Sequence, residues 1–352
     1  MKYKEDWDET AALYTALWEG EHLSRPCIAV TAPSGKHVPR PEDPEDPQRR
    51  WLDPEWVLAD LHARLENTWW GGLSIPSYLL MGGWTASLGG RPNFSQKTIW
   101  FDSFGIDFAN PSPFVFRDDD VWKRKHEILY RAAAKKAGKD DFLVGKPCML
   151  PANDLLSMHL GTTEFLTALI DEPEWMRGAI IQGAKNLLAE RSRLQDLIKD
   201  RHDYWYGNGG WMSFWAPVQY TPMQSDVSCM LSPEMFEEFV VPELDLFGNA
   251  YGAMWYHLDG RDARQHLARL LSLPYMRVIQ YVPTPAEPPN GPEHMDLYAE
   301  IQRGGKIVHI QTDKRFVEPL LRGLDPDRTV LEVRCDNMDE GKELLRRSAD
   351  WM

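Results

Sequence analysis

The last third of the chain alternates four times between a strand pattern and a helical pattern, and this alternation constrains the fold more than any other feature. The predicted strands are followed by predicted helices in the order 253–259 and 262–272, 275–283 and 292–303, 306–313 and 314–322, and 328–336 and 338–349. No hairpin turn joins one of these strands to the next. Because parallel neighbours need helical crossovers, the pattern predicts a parallel sheet covered by helices.

Chain length favours a barrel for this sheet. No G-x-G-x-x-G follows a strand, which disfavours a dinucleotide-binding sheet. A barrel of eight strand–helix units needs about 250 residues, and a chain of 352 residues leaves room for additions. We therefore predict an α/β fold, a single (β/α)8 TIM-barrel domain over 1–352. It would carry extra N-terminal helices and a long Gly- and Trp-rich excursion, 71–117, near the barrel mouth.

The first two thirds of the chain contain further predicted elements. Asp53 and Pro54 are a good N-cap and first residue for a helix, and Ser232 with Pro233 starts another in the same way. Residues 35–50 are a loop rich in proline and acidic residues. The predicted helices are 5–20, 53–70, 118–138, 163–200 and 232–244, and a strand is predicted at 25–35.

Composition excludes several classes of partner. A formal net charge of −14 disfavours binding to nucleic acid and to anionic membranes. No stretch approaches the roughly 20 consecutive apolar residues of a membrane span, and the charged N-terminus lacks the apolar core of a secretory signal. The four cysteines have no C-x-x-C spacing, so a reduced, cytoplasmic protein is predicted.

Polar side chains stand where the four predicted strands end. His257 and Asp259 lie two apart on the first strand and share one face of it, because side chains alternate along a strand. Gln280 and Tyr281 end the next strand, and Cys335 lies at the end of the last. In a (β/α)8 barrel the chemistry takes place at these carboxyl ends. The set includes residue types that bind Zn²⁺ or another transition metal.

Three segments of the chain resemble the uroporphyrinogen decarboxylase superfamily. They are "QSDVSCMLSPEMFEEFVVPEL", "YHLDGRDARQHLARLLSLPYMRVIQYVP" and "LEVRCDNMDEGKELLRR", all within 220–350. "LWEGEHLSRPCIAVTAPSG" and "LLSMHLGTTEFLTALIDEPEWM" extend the resemblance more weakly to the rest of the chain. The resemblance implies a (β/α)8 barrel near corrinoid- and zinc-dependent methyltransferases. Asp226 takes the place of an aspartate that the superfamily keeps at a strand end.

The chain also departs from the patterns of that superfamily. The decarboxylase's "RQAGR" and "GHGI" are missing; only Arg25 in "SRPCIAV" stands near the first, so porphyrinogen decarboxylation is disfavoured. The zinc methyltransferases carry H-x-C on one strand and a second Cys on a late strand. The methionine synthase of the superfamily adds a Glu on the strand between. These positions read here His257, Asp259, Gln280 and Cys335, so a carboxylate replaces one thiolate and a neutral amide replaces the Glu. The resemblance implies Zn²⁺ bound by His257, Asp259 and Cys335.

Each candidate residue also has a structural interpretation. Asp259 is either a helix cap or a ligand or acid/base; His257 is catalytic, or else a core histidine bonded to the backbone. Asp226 is a catalytic acid or a turn residue, and Cys335 a ligand or a small core residue. Aromatic and amide side chains either line a substrate pocket or fill the core. Those predicted to bind substrate are Tyr206, Trp211, Trp215, Gln280 and Tyr281.

Three functions are compatible with these residues. The first is a methyltransferase that moves a methyl group between a small molecule and a separate corrinoid protein. The corrinoid would belong to the partner, because the chain lacks a D-x-H-x-x-G motif. The second is a hydrolase or lyase for a sugar-like or aromatic small molecule, with Asp226 and Asp259 as acid and base. The third is a non-catalytic barrel. A homodimer is left open.

Overall fold

A parallel sheet organises the part of the chain that the computed structural model describes, which is residues 1–79, 91–102, 106–109, 120–138, 141–145, 150–199 and 213–352. The strands are β1 Cys27–Pro33, β2 Thr68–Gly72, β3 Ser77–Tyr78, β4 Pro92–Phe94, β5 Ile99–Phe101, β6 Leu143–Val144, β7 Thr221–Gln224, β8 Met254–Asp259, β9 Met276–Val282, β10 Ile307–Thr312 and β11 Thr329–Arg334. Seven of them form one sheet in the order β2-β1-β11-β10-β9-β8-β7, in which only β2 is antiparallel to its neighbour.

Helices connect the parallel strands, as the alternating pattern predicts. They are α1 Trp7–Glu19, α2 Pro47–Leu52, α3 Pro54–Asn67, α4 Val121–Ala137, α5 Ala152–Leu160, α6 Thr162–Asp171, α7 Pro173–Asp196, α8 Pro233–Phe239, α9 Val241–Tyr251, α10 Leu267–Ser272, α11 Met295–Arg303, α12 Val317–Gly323 and α13 Met338–Ser348. The mixed α/β class and the parallel sheet are therefore confirmed.

The hydrogen-bonded sheet is not closed within the described residues. β3 and β6 pair with each other in parallel and form a separate two-stranded sheet, and β4 and β5 form an antiparallel pair. Counting β1, β3, β6 and β7 to β11 gives eight strands in chain order, but no described hydrogen-bond ladder joins β3 to β1 or β6 to β7. The fold is thus a parallel α/β arrangement, and closure into a barrel stays a prediction.

Several predicted boundaries need correction. The helix predicted over 53–70 ends at Asn67, because the β-favouring residues Thr68 to Trp70 pair with β1 as β2. The helix predicted over 163–200 is two helices, and Pro173 begins the second. The segment 232–244 is likewise split near Val240 into α8 and α9. The N-cap at Asp53 is confirmed, since its side chain accepts the backbone N–H of Glu55.

The two faces of the seven-stranded sheet pack against different elements. One face, here called the α1 face, meets α1 and the segment 213–220 near the amino ends of the strands; Trp255, Val278 and Val330 belong to it. Residues one position along, such as Tyr256, Ile279 and Leu331, point to the opposite face and pack in a second cluster with other helices. By period-two alternation, His257, Gln280 and Glu332 lie on the α1 face.

Aromatic residues of α1 cover the α1 face of the sheet at the amino ends of its strands. Trp7 and Tyr14 are buried and make edge-to-face contacts with Trp215. The Tyr14 hydroxyl group lies 3.1 Å from the carbonyl oxygen of Leu73 and can donate to it. This packing covers the amino ends of the strands. The polar side chains of the α1 face therefore lie at the carboxyl ends, which α1 does not cover.

No helix in the described ranges combines the length and the apolar character that crossing a bilayer requires.

Candidate functional site

Asp226, His257 and Asp259 come together at the carboxyl ends of β7 and β8. One ligand atom from each residue lies within 4.8 Å of the other two, and within the described ranges no other group of three or more such side chains is as close. His257 and Asp259 are half-buried, whereas Asp226 is exposed. β7 and β8 are adjacent and parallel, with Gln224 opposite His257, so Asp226 follows the end of β7 beside them. The structure thus brings together the three residues predicted to be catalytic.

A glycine directly after β8 lets the chain turn away below Asp259. Gly260 has φ 76°, a left-handed backbone conformation that residues with a side chain rarely adopt. A Cβ atom there would lie 2.8 Å from Thr284 Cγ2. Gly260, and not Asp259, occupies the N-cap position of the following 3₁₀ turn. The helix-cap interpretation of Asp259 is therefore wrong, and its carboxylate stays with His257 at the end of the strand.

Gln280 sets the orientation and the tautomer of His257. The side-chain NH2 of Gln280 donates to the backbone carbonyl of Tyr281 at 3.2 Å, so its amide oxygen faces the imidazole. That oxygen lies 2.5 Å from His257 Nδ1 and can only accept, so Nδ1 carries the ring proton. Nε2 is then the nitrogen with the lone pair, the atom that can bind an ion. Since Gln280 is fully buried, it positions His257 rather than binding substrate as predicted.

A buried carboxylate, Asp154 in the first turn of α5, holds the turn that carries Asp226. Asp154 accepts the backbone N–H groups of Asp226 and Val227, both at 3.1 Å. These N–H groups begin the 3₁₀ turn Asp226–Met230 and have no partner inside it. Gln224 donates to Asp226 at 2.8 Å. The catalytic candidate is therefore anchored from two sides.

Glu243 holds the first residues of α5 by hydrogen bonds of the same kind. Its carboxylate accepts the backbone N–H of Ala152 at 2.7 Å and the side-chain NH2 of Asn153 at 2.9 Å. Asn153 in turn accepts the Ser225 hydroxyl at 3.0 Å. Asp154 and Glu243 are the functional residues that the sequence analysis missed. For Asp154 the signal was an Asn-Asp pair two residues after Pro151, in the first turn of a largely apolar helix.

Burial and mutual repulsion raise the pKa values of these acids. Desolvation, followed by the charge of Asp226, raises the pKa of Asp154 to about 7. Desolvation also raises the pKa of Glu243 to about 8. The Asp226 side chain is exposed to water within the site but closely surrounded by protein. Its pKa is raised first by desolvation and then by the Asp259 charge, against a lowering effect of His257.

The donor set fits a divalent cation. Two carboxylates and one neutral imidazole supply three protein ligands, which leaves an open position for a reacting group, as in catalytic zinc sites. A cation would relieve the repulsion that raises the pKa of Asp226. Oxygen-rich sets suit Mn²⁺ as well as Zn²⁺, so the preference for Zn²⁺ that a thiolate would bring is weaker than predicted.

Cys335 does not belong to this set, which corrects the expected ligands. It is 1% exposed and packs with Leu331 and Val333 on the face opposite to His257. Its backbone N–H donates to the Thr31 carbonyl at 2.8 Å. The physical reason is the two-residue alternation along the strand, which directs residue 335 away from the α1 face. Asp226 takes the place that Cys335 was expected to fill.

The two predicted substrate-binding aromatic residues that the structure describes do not lie at the cluster. Tyr281 is fully buried on the opposite face, where its hydroxyl donates to Glu287 at 2.7 Å. Trp215 packs among the aromatic residues of α1 at the amino ends of the strands. Both therefore act in the core. Tyr206 and Trp211 lie outside the described residues.

A row of polar side chains, here called the polar row, extends from the cluster along the α1 face; it consists of His257, Gln280, His309 and Glu332. His309 on β10 is fully buried, and its Nδ1 accepts the indole N–H of Trp255 at 3.2 Å. The proton of His309 is therefore on Nε2, which lies 3.6 Å from the Glu332 carboxylate on β11. This row extends from the candidate metal ligands to the strand that pairs with β1.

Comparison with known proteins shows the fold but no family. No protein-family model matches the sequence, and no curated protein matches it. The structure is similar to that of a methyltransferase from Methanosarcina mazei, with a TM-score of 0.64 over 97% of this chain and 98% of that chain, at 13% sequence identity. At this identity the likeness concerns the fold, and function must be argued from the site.

Proposed function

We propose that this protein is a methyltransferase of a corrinoid-dependent system, which moves a methyl group between a small molecule and a corrinoid protein. The observation that carries the proposal is the convergence of Asp226, His257 and Asp259 within 4.8 Å at the carboxyl ends of two parallel strands. The fold shared with a methyltransferase supports it, as does the resemblance of the sequence to the uroporphyrinogen decarboxylase superfamily. We infer that the strands close into a (β/α)8 barrel around this edge.

The cluster would bind one divalent cation, with Zn²⁺ as the first candidate. A bound cation lowers the pKa of a coordinated thiol or hydroxyl group and so makes it a better methyl acceptor. In this direction the acceptor loses its proton to solvent at the exposed edge. The bond from acceptor to methyl would form as the carbon–cobalt bond breaks, and the electron pair of the broken bond would stay with the corrinoid of the partner protein. His257 and the two carboxylates hold the acceptor's position, and Gln280 fixes the imidazole.

Metal content and methyl transfer should be measured together on the same preparations. We expect about one equivalent of divalent metal in protein purified without chelator. We also expect the absorbance change of demethylation when a methylated corrinoid protein, or methylcobalamin in its place, is mixed with the protein and a panel of small thiols. Asp226→Asn should reduce both readouts. Metal below about a tenth of an equivalent would exclude a site of ordinary catalytic affinity.

Acid/base hydrolysis is a second candidate, favoured by one observation. Desolvation, followed by the charge of Asp259, raises the pKa of Asp226, and a carboxyl group with a raised pKa beside a second carboxylate can serve as the acid of an acid/base pair. Their ligand oxygens lie within 4.8 Å, which is near the spacing of roughly 5–5.5 Å in retaining glycosidases and too short for inverting ones. Hydrolysis that persists after removal of metal by a chelator, without demethylation of the corrinoid, would favour this function over methyl transfer.

A further inference from the structure

A large cavity opens at the carboxyl ends of β1 and β11, at the same end of the strands as the Asp226 cluster. Its volume is about 860 Å³, and its wall includes Thr31, Trp70, Glu332 and Arg334. Thr31 and Arg334 are paired neighbours across β1 and β11. Glu332 also ends the polar row that starts at His257. The cavity and the candidate active site therefore both lie at the carboxyl ends of the strands of one sheet, and Glu332 belongs both to the cavity wall and to the polar row.

Three arginines converge on this cavity from separate parts of the chain. Arg40 and Arg64 reach it from the loop before α2 and from α3, and Arg334 from the end of β11. Asp60 pairs with Arg40 at 2.5 Å and balances its charge. With Glu332 as the other carboxylate among the wall residues that the structure describes, these residues together carry one positive charge in excess. Such a charge is unusual in a protein of net charge −14 and would attract an anion.

Two of these guanidinium groups have donors to spare. Arg334 is exposed, and its guanidinium group makes no hydrogen bond or ion pair with any residue that the structure describes. Arg64 donates to the Ser77 carbonyl at 2.6 Å through one nitrogen. A guanidinium group has five N–H donors in a planar fork, which suits bidentate binding of a carboxylate. The Arg64 side chain is exposed at the cavity, where desolvation by the surrounding protein atoms lowers its pKa against a raising effect of Asp60.

We propose that this cavity binds an acidic group of the substrate, a carboxylate or a similar anion, through Arg64 and Arg334. The inference deepens the proposed function and rests on it in one respect: the reacting end of the same molecule would lie at His257. β8 and β11 are three strand positions apart, about 14 Å at a spacing of about 4.8 Å. The arginine side chains shorten this span, so the substrate would be an extended molecule with its anion at the end remote from the reacting atom.

Binding of matched acids and alcohols tests this inference directly. We would titrate zinc-loaded protein with ω-mercaptoalkanoic acids of increasing chain length, and with the mercaptoalkanols of the same lengths, by calorimetry. We expect the acids to bind about ten-fold more tightly than the alcohols at the best length, since charge-assisted hydrogen bonds are the strong ones. The preference should diminish at high salt. Equal binding of acids and alcohols at every length would overturn the proposal.

Substitutions assign the preference to the two arginines. Arg334→Gln and Arg64→Gln should each reduce the preference for acids about ten-fold and leave binding of the alcohols unchanged. Arg303→Gln, an exposed arginine at the end of α11, is the matched control and should leave the preference intact. Arg64→Lys keeps the charge if loss of the Ser77 contact disturbs folding, and it should retain part of the preference. A preference that survives both Gln substitutions would overturn the assignment.

The same titration separates this inference from the proposed function. In His257→Ala protein we expect weaker binding of every thiol but an undiminished preference for acids over alcohols. If the wild-type protein binds no metal, the preference of the cavity can still be measured with plain alkanoic acids and alkanols. Absence of the preference in protein that does hold metal and demethylates a corrinoid would refute the anion site alone.

Discussion

At the scale of single residues, the candidate site depends on how His257 is held. Its Nδ1 donates to Gln280, and this bond leaves Nε2 for a ligand or a proton. Partners of this kind, which hold metal-binding histidines in one tautomer, contribute to affinity although they never touch the ion. The amide of Gln280 is held in turn by the backbone of Tyr281.

Removal of this partner should therefore weaken metal binding. We expect Gln280→Ala to lower the affinity for Zn²⁺ about 10- to 100-fold, and His257→Ala to abolish stoichiometric binding. Competition with a chromogenic chelator measures both. Gln311→Ala is the matched control, since this residue also ends a strand on the α1 face but is exposed and outside the cluster. Unchanged affinity in Gln280→Ala would show that the imidazole needs no orientation.

Cys335 provides a second test at this scale. Because it packs on the opposite face of the sheet, Cys335→Ser should leave metal content and metal affinity unchanged within about two-fold. Its cost should appear as a modest loss of stability from a hydroxyl group in an apolar cluster. If Cys335→Ser folds normally but contains no metal, Cys335 is a metal ligand after all, as expected from the sequence.

At the scale of elements, the site is built on the contact between α5 and the 3₁₀ turn after β7. Asp154 caps the turn, and Glu243 in α9 caps α5, so two buried acids connect three elements. Both carboxyl groups have raised pKa values, to about 7 and about 8. This support should therefore depend on pH.

The sign of that dependence follows from the direction of the pKa shifts. The folded protein holds these two protons at pH values where the unfolded chain, with acid pKa values near about 4, has lost them. The free energy of unfolding should therefore fall as pH rises from about 4 to about 7–8, by on the order of 2–4 kcal/mol for each group at most. Urea unfolding at a series of pH values measures it.

Neutral variants isolate the contribution of each acid. Asp154→Asn should flatten the decline up to about pH 7, and Glu243→Gln the part that continues to about pH 8. Asp339→Asn, an exposed acid in the first turn of α13, should leave the slope as it is in the wild-type protein. If the slope in Asp154→Asn equals that of the wild-type protein, Asp154 is ionised throughout this range.

In the molecule as a whole, α1 and its aromatic residues cover the amino ends of the strands, and the candidate site lies at the carboxyl ends. Trp7 contacts Trp215 across this layer, and both are almost completely buried. Trp18, also on α1, packs against Phe214 and Tyr220. The first helix of the chain therefore contacts a segment about 200 residues later in sequence.

Truncation of an aromatic side chain in this layer should lower the free energy of unfolding of the whole protein rather than its activity. We expect Trp7→Ala to lower the free energy of unfolding by about 3–5 kcal/mol, the usual cost of removing a large buried aromatic side chain. Trp100→Ala, at a side chain 46% exposed, should change it by no more than about 0.5 kcal/mol. Urea denaturation followed by circular dichroism compares the two. Equal small losses would mean that α1 contributes little to the folded state.

Features that depend on local periodicity could be predicted from the sequence. Four strand–helix units in a row predicted the parallel sheet, and the two-residue spacing of His257 and Asp259 predicted that they share a face. The cap at Asp53 could also be predicted, because a cap depends on the few residues around it. The single-domain organisation and the closed barrel stay predictions.

Which strand ends lie side by side, and on which face of the sheet each residue lies, became known from the contacts between distant segments. Asp226 joins His257 because β7 lies beside β8 in register, whereas Cys335 leaves the set because its strand turns it to the opposite face. Asp154 and Arg64 reach the site from helices far away in sequence. Periodicity relates residues within one strand, but strand register and helix packing arise from contacts between distant segments, and no local pattern contains them.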